Sequence, residues 1–267
     1  MSVANRPGRR LVVGIVPGLV ALATVVAPTP AFALDSSVLH PNRRDFSSPQ
    51  HFAFEFRFGP YTPDIDSEPA LGATKPYESI FGTQQRFQFG GEFDWQAIRI
   101  PHFGSIGPGL QFGYTQMTGK SFVHGSGGVR SGDDTTLGIF PGALVGVLRL
   151  DVLSTDLRIP LVPYGKAGIG FGVWHVTNAA GTSTYTTASG ATEKATGLSL
   201  GTNFAAGVAL QLDVFDPLTA RNFDAVMGVN HTYLYGEYMA STLNGLGQSD
   251  VLRVGASTWV FGITFEF

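Results

Sequence analysis

Between Leu198 and Val214 the chain keeps a period of two for its whole length. Leu198, Leu200, Thr202, Phe204, Ala206, Val208, Leu210, Leu212 and Val214 fall on one side. Ser199, Gly201, Asn203, Ala205, Gly207, Ala209, Gln211 and Asp213 fall on the other. A helix would scatter Asn, Gln, Asp and Gly around its 3.6-residue wheel, whereas a strand gathers them on one face. The greasy face must then meet either a protein core or lipid.

Seven further runs share the pattern. Phe52, Phe54, Phe56 and Phe58 alternate with Ala53, Glu55 and Arg57, and Phe87, Phe89, Phe93 and Trp95 with Gln88, Gly90, Glu92 and Asp94. Leu110, Phe112 and Tyr114 alternate with Gln111, Gly113 and Thr115. In 136–151, Leu144, Leu148 and Leu150 oppose Val145, Val147, Arg149 and Asp151. In 160–177, Ala167, Ile169, Phe171 and Val173 oppose Lys166, Gly168, Gly170 and Gly172. A run at 223–240 sets Met227, Val229, Tyr233 and Tyr235 against Gly228, Asn230 and Thr232. The last run sets Trp259, Phe261, Ile263, Phe265 and Phe267 against Thr258, Val260, Gly262, Thr264 and Glu266. The total is eight, an even number. Several runs exceed the ~9–11 residues that a membrane-crossing strand needs.

The front of the chain bears on the choice between core and lipid. Arg6, Arg9 and Arg10 precede an apolar run from Leu11 to Ala27, and Ala31-Phe32-Ala33 follows. A basic n-region, an apolar h-region and an Ala-x-Ala site read as a secretory signal peptide over 1–33, cleaved after Ala33. Without the three signal arginines, the 17 basic residues fall to 14 against 20 acidic, a net charge near −6. Such a chain has no electrostatic footprint for nucleic acid. Cysteine is absent, which excludes a disulfide framework and thiolate metal sites. Gly at 35 of 267 is well above the average of ~7%, and Phe at 21 outnumbers Trp and Tyr together. Gly- and Phe-rich, cysteine-free exported chains suit a β-barrel.

The connections fall at roughly 59–83, 99–106, 118–135, 152–159, 178–195, 215–222 and 241–250. The odd-numbered ones are mostly long and polar, the even-numbered ones short. That alternation predicts long outward loops and short periplasmic turns. The fold expected is an all-β, transmembrane, antiparallel up-and-down barrel of eight strands over 51–267, with 34–50 as a periplasmic lead-in. Such a chain is expected to be an integral outer-membrane protein of a Gram-negative bacterium, porin-like in architecture, with both termini periplasmic. Its partners would then be the lipids of that membrane.

Gly262-Ile263-Thr264-Phe265-Glu266-Phe267 resembles the C-terminal insertion signal of bacterial outer-membrane barrels, Gly-x-x-Φ-x-Φ ending in an aromatic residue. The resemblance implies recognition of Gly262, Phe265 and Phe267 by the barrel assembly machinery. Four segments resemble a family of myxobacterial outer-membrane barrel proteins of the small bacterial type: Phe58–Tyr61, Pro160–Gly168, Met227–Leu234 and Ser257–Val260. The similarity covers about residues 50–267. It implies fold and place and carries over no catalytic or ligand residue.

Candidate chemistry is sparse. Gly165-x-x-Gly168-x-Gly170-x-Gly172 has dinucleotide-loop glycines but no helix behind them, so it reads as small residues on a crowded inner wall. Asp64-x-Asp66-x-Glu68 has the alternating carboxylates of a calcium loop without its turn glycine or distal Glu. Asn230-His231-Thr232 sits inside a strand run and is a chance sequon. A nucleophile needs a base within hydrogen-bond reach and a third group to orient that base. His124/Ser126, His175/Thr177 and His231/Thr232 each lack part of that arrangement. No cofactor or metal is implied.

The inner wall carries more information. Glu55, Arg57, Glu92, Asp94, Arg149, Asp151, Lys166, Gln211 and Asp213 share the inward phase. Charge on the lipid face would cost ~2–4 kcal/mol each at midplane, and eight strands leave an interior that side chains can fill. Glu55, Arg57, Glu92, Asp94, Arg149 and Lys166 are therefore expected to form a cross-strand network that plugs the lumen. The expected role is structural or surface-interacting. The alternative is a narrow pore or carrier for small hydrophobic solutes, and the third reading is a lipid-modifying barrel enzyme.

Overall fold

A computed structural model describes residues 50–123, 128–187, 190–248 and 251–267. The expected signal peptide with Ala31 and Ala33, nearly all of the expected lead-in and the His124/Ser126 pair lie outside the described residues.

Eight long strands close into a barrel: β1 (Phe52–Tyr61), β2 (Arg86–Trp95), β3 (Gly104–Gly119), β4 (Thr135–Leu150), β5 (Leu161–Asn178), β6 (Thr196–Gln211), β7 (His231–Thr242) and β8 (Ala256–Glu266). Each pairs antiparallel with the next in sequence, and β1 pairs with β8, with Phe54 opposite Phe265. Closure leaves no edge of the barrel sheet unpaired. β3, β4 and β6 run for 16 residues and β5 for 18, beyond the ~9–11 that span a hydrocarbon layer.

Every Asp, Glu, Lys and Arg on these strands lies on the inward face. The outward face is mostly apolar and exposed, with Phe56, Phe89, Leu144, Ile169, Phe204 and Trp259 among its members. Aromatic pairs mark two heights on this belt. Phe52 stacks on Phe93 near the end that holds both strand termini, and Tyr238 meets Trp259 edge-on toward the other end. The terminal run follows this phase. Phe261, Ile263 and Phe267 face outward, and Val260, Gly262, Thr264 and Glu266 face in.

The sixth connection departs from the sequence expectation. β6 stops at Gln211, and residues 223–240 are not one strand. The segment Pro217–Met227 is a helix, α3, and β7 begins only at His231. The cause is local. Asp216 caps the helix by accepting from the Thr219 N–H at 3.1 Å, Pro217 supplies a preset first turn, and Gly228 ends it at φ 71°. Connection 212–230 is therefore long, and the long–short alternation holds only for the other six. Starting β7 at His231 also sets its phase. Tyr233 and Tyr235 point inward with Glu237, and Leu234 and Tyr238 point out.

The first connection holds two 3-10 turns and a short helix, α1 (Pro76–Phe81). A single helical turn, α2 (Val152–Thr155), lies in the fourth, and a small hairpin pairing Thr184–Thr186 with Thr192–Lys194 rises from the fifth.

Candidate functional site

The lumen is the one region where charged chemistry concentrates among the described residues. β1 delivers Glu55 and Arg57, β2 Glu92 and Asp94, β4 Arg149, β5 Lys166 and β7 Glu237, all buried. Lys166 Nζ lies 2.8 Å from Glu55 Oε2, 2.6 Å from Glu92 Oε2 and 3.3 Å from Glu237 Oε2. Arg149 Nη2 donates to Glu55 Oε1 at 2.6 Å and to Asp94 Oδ2 at 2.8 Å. Arg57 pairs with Glu92 and donates to Glu237 Oε1 at 2.5 Å. Three cations thus interlock four carboxylates across five strands.

Neutral groups complete the layer. The Tyr164 hydroxyl donates to Glu237 Oε2 at 3.0 Å, and its ring lies 4.9 Å beneath the Lys166 ammonium. Gln111 donates to Glu92 Oε2 at 3.2 Å and accepts from Asn203 at 2.9 Å. Taking charges out of water is costly unless each finds partners, and here every cation touches at least two carboxylates. The six residues expected from sequence to share the lumen all meet here. Glu237 and Tyr164 join them. Glu237 was hidden because Tyr233 and Tyr235 read as the apolar face of their run. The signal that could have found it is the Tyr-x-Tyr-x-Glu-x-Met alternation of 233–239 itself.

Above the charged layer the lumen turns apolar. Tyr61, Met117, Leu137, Ile139 and Ala256 from the strands pack against Ile65, Tyr77, Leu243 and Val254 from the first and seventh connections. The Tyr61 hydroxyl donates to the Val254 carbonyl, the Asp64 N–H donates to the Gly255 carbonyl at 2.9 Å, and Arg253 pairs with Glu68 at 2.7 Å. The two connections are tied together as a lid. Gly170 and Gly172 make room for it. A Cβ at Gly170 would stand 2.7 Å from Leu243 Cδ2, and one at Gly172 would stand 2.6 Å from Val254 Cγ2. A cavity of about 30 Å³ remains between lid and network, lined by Arg57, Tyr61, Gln88, Gln111, Asn203 and Met239 among others. That is room for about one or two waters.

Below the network, Val162, Tyr164, Ala209, Tyr233 and Tyr235 form a second apolar cluster. Glu266 is buried beneath it, accepting from Tyr233 OH at 2.9 Å and from Gln96 Nε2 at 2.7 Å. At the barrel's rim Asp213 has left the wall expected for it and folds back to His231, Nδ1 to Oδ2 2.5 Å. Its Oδ1 accepts from the Thr232 N–H at 3.2 Å. Burial pushes the Asp213 carboxyl up, but the hydrogen bonds from His231, Gln211 and Thr232 outweigh it and hold the group below the usual aspartate range. Asp151 sits in the turn after β4, where burial raises its carboxyl above that range.

The remaining motifs take local roles. Asp66 caps α1, accepting from Tyr77 N at 2.8 Å and Glu78 N at 2.9 Å, and Glu68 is taken by Arg253. His175 lies outside the lumen, stacked on Phe140, and Thr177 shares that outward face. His231 has its carboxylate in Asp213, while Thr232 points to the opposite face. Of the terminal residues, Phe267 is at the outer surface and its carbonyl accepts from His51 N at 2.7 Å. Gly262 lies under the Tyr235 ring. A Cβ there would meet the Phe56 carbonyl and stand 2.7 Å from the Tyr235 hydroxyl.

No protein-family model matches the chain, and no curated protein matches it. Among solved structures it is similar to Ail, the attachment invasion locus protein of Yersinia pestis, at 12% identity over 82% of this chain and 97% of that one, with a TM-score of 0.41. It is similar to Neisserial surface protein A at 13% identity over 82% and 98%, TM-score 0.41. The N-terminal β-barrel domain of Pseudomonas aeruginosa OprF follows at 11% identity over 82% and 100%, TM-score 0.38.

Proposed function

We propose that the chain is an integral barrel of a bacterial outer membrane, with a non-enzymatic, structural or surface-interacting role and a lumen that does not conduct. The observation that carries this reading is the filled lumen: a charged layer of seven side chains beneath a lid of two connections. The closed wall, its apolar outer face and the inward phase of every strand charge support a membrane location. The export signature and the Gly262–Phe267 motif support the outer membrane and its assembly machinery as partner. The myxobacterial resemblance of the four segments is part of the same reading.

In this reading the first, third, fifth and seventh connections face the medium, and α2, α3, the start of β1 and the end of β8 face the periplasm. Insertion of an epitope tag at Gly190 tests it on intact, capsule-free cells. A tag at Gly190 is reached by antibody, and one at Thr155 is reached only after the outer membrane is opened. Exposure of the Thr155 tag on intact cells overturns the orientation, and absence of the protein from the outer-membrane fraction overturns the location.

A further inference from the structure

α3 is amphipathic yet packs on almost nothing. Leu218, Phe223, Val226 and Met227 occupy about half of its 3.6-residue wheel, interrupted by Thr219 and Asn222, and Arg221 and Asp224 lie on the other half. Val226 is 81% exposed, Leu218 73% and, just before the helix, Phe215 70%. A contiguous apolar surface of this kind left in water marks a place where something binds.

The helix also stands off from the barrel. An open cleft of about 270 Å³ separates it from the wall, lined by Ala220 and Phe223 of the helix and by Leu212, Val229 and Phe265, with Asp213, Asp216, Thr219 and Thr232 also bordering it. Phe265 links this cleft to the lipid-facing belt. Its ring meets that of Phe56, an exposed belt residue, edge-on at 6.4 Å. Cleft and belt thus adjoin through Phe265 at the end of the barrel that holds both strand termini, and the exposed helix face lies beside them, with Asp213 and Asp216 bordering the cleft.

We propose that α3 lies in the interface of the periplasmic leaflet, with lipid acyl chains filling the cleft between Phe223 and Phe265. The proposal rests on the outer-membrane reading above. A helix with an apolar arc and a short polar stripe settles in the plane of a bilayer with its apolar side a few ångströms below the headgroups. Arg221, on the opposite half of the wheel, lies on the headgroup side, where its guanidinium can meet lipid phosphates. The long sixth connection is then a membrane-bound foot, which broadens the barrel's grip on one leaflet.

Because the chain has no cysteine, single-cysteine variants give unique labels. Nitroxide-labelled Leu218→Cys, Val226→Cys, Arg221→Cys, Phe204→Cys and Thr192→Cys are placed separately in phosphatidylethanolamine/phosphatidylglycerol vesicles. Electron paramagnetic resonance then compares collisions with oxygen, which concentrates in lipid, and with a nickel chelate, which stays in water. The proposal expects oxygen to dominate at 218 and 226 as it does at 204 in the belt, and nickel to dominate at 221 and 192. Nickel dominance at 218 and 226 with oxygen dominance at 204 overturns the proposal and leaves the barrel in its membrane. Nickel dominance at 204 overturns the membrane reading itself. Spin–spin broadening at 226 that vanishes on dilution with unlabelled protein assigns the face to a second copy, and overturns the lipid occupant. Heat-modifiable migration of each variant shows that the barrel is folded, and Leu218 and Val226 provide two independent exposed positions.

Discussion

Glu55 and Glu92 stand directly opposite each other in the β1–β2 register, both fully buried, with the Lys166 ammonium between them at 2.8 and 2.6 Å. Like charges facing each other across a ladder repel, so this stretch of barrel wall depends on a cation from β5, four strands on from β1 and three from β2. The arrangement explains how a strand pair so rich in inward carboxylates can close at all.

Replacing Lys166 with Met should therefore cost about 3–5 kcal/mol, because Glu55, Glu92 and Glu237 lose a shared partner in a low-dielectric interior. Urea unfolding of the barrel in detergent, followed by its heat-modifiable band, measures the loss. Adding Glu92→Gln should recover part of it, since the two sites are in contact and their effects are non-additive. An unchanged midpoint for Lys166→Met would show that water reaches the pair and screens it.

The lid depends on absent side chains. Gly172→Val places a branched side chain where Val254 now packs, so the seventh connection should lift from the mouth while the strands stay paired. Limited trypsinolysis checks this, with faster cleavage after Arg253 expected in the variant. Equal cleavage rates would mean that the first connection alone holds the lid down.

Gly262 and Phe267 belong to one sequence motif yet should fail differently. Gly262→Ala drives a methyl into the Phe56 carbonyl and the Tyr235 ring, so the folded barrel itself should be weakened, by about 1–3 kcal/mol. Deleting Phe267 removes an outer-surface side chain and the backbone bonds it exchanges with His51 and Phe52, so the protein should accumulate in the periplasm with only a small loss of stability in the barrel refolded in detergent. Normal outer-membrane levels of the Phe267 deletion would contradict the assembly role.

Much of the architecture was legible because the sequence alternates strictly. β1, β2 and β6 could be phased residue by residue, and with them Glu55, Arg57, Glu92 and Asp94, while Arg149 and Lys166 come from the less regular runs of β4 and β5. The C-terminal half of α3, 223–227, reads as strand by period and 217–222 as connection, although Asp216-Pro217 and Gly228 are start and stop signals that period counting does not weigh. Misplacing it shifted the face assigned to Tyr233 and Tyr235, and that concealed Glu237. The lid was not legible. Ile65, Tyr77, Leu243 and Val254 lie in loops without periodicity, and only the closed barrel brings the first and seventh connections together. The foldback of Asp213 onto His231 has the same origin.

That foldback has a pH signature. The depressed Asp213 carboxyl contributes stability that is complete above the ordinary aspartate pKa of about 3.9 and is lost as pH falls through its lower folded value. The Thr232 N–H donates to this carboxylate, so its hydrogen-exchange protection should fall in strong acid, and Asp213→Asn should remove that pH dependence. Protection of Thr232 that stays constant into strong acid, relative to neighbouring β7 amides, would mean that the ladder alone protects it.

The account turns on whether the lumen is sealed, and single-channel recording in planar bilayers measures that directly. The wild-type protein should pass no steady ion current. Arg149→Ala, which leaves Glu55 and Asp94 without that cation, should open the network to water and give a measurable conductance while the barrel remains folded. A steady wild-type current that Arg149→Ala and Lys166→Ala leave unchanged would contradict the sealed lumen and make the protein a narrow pore.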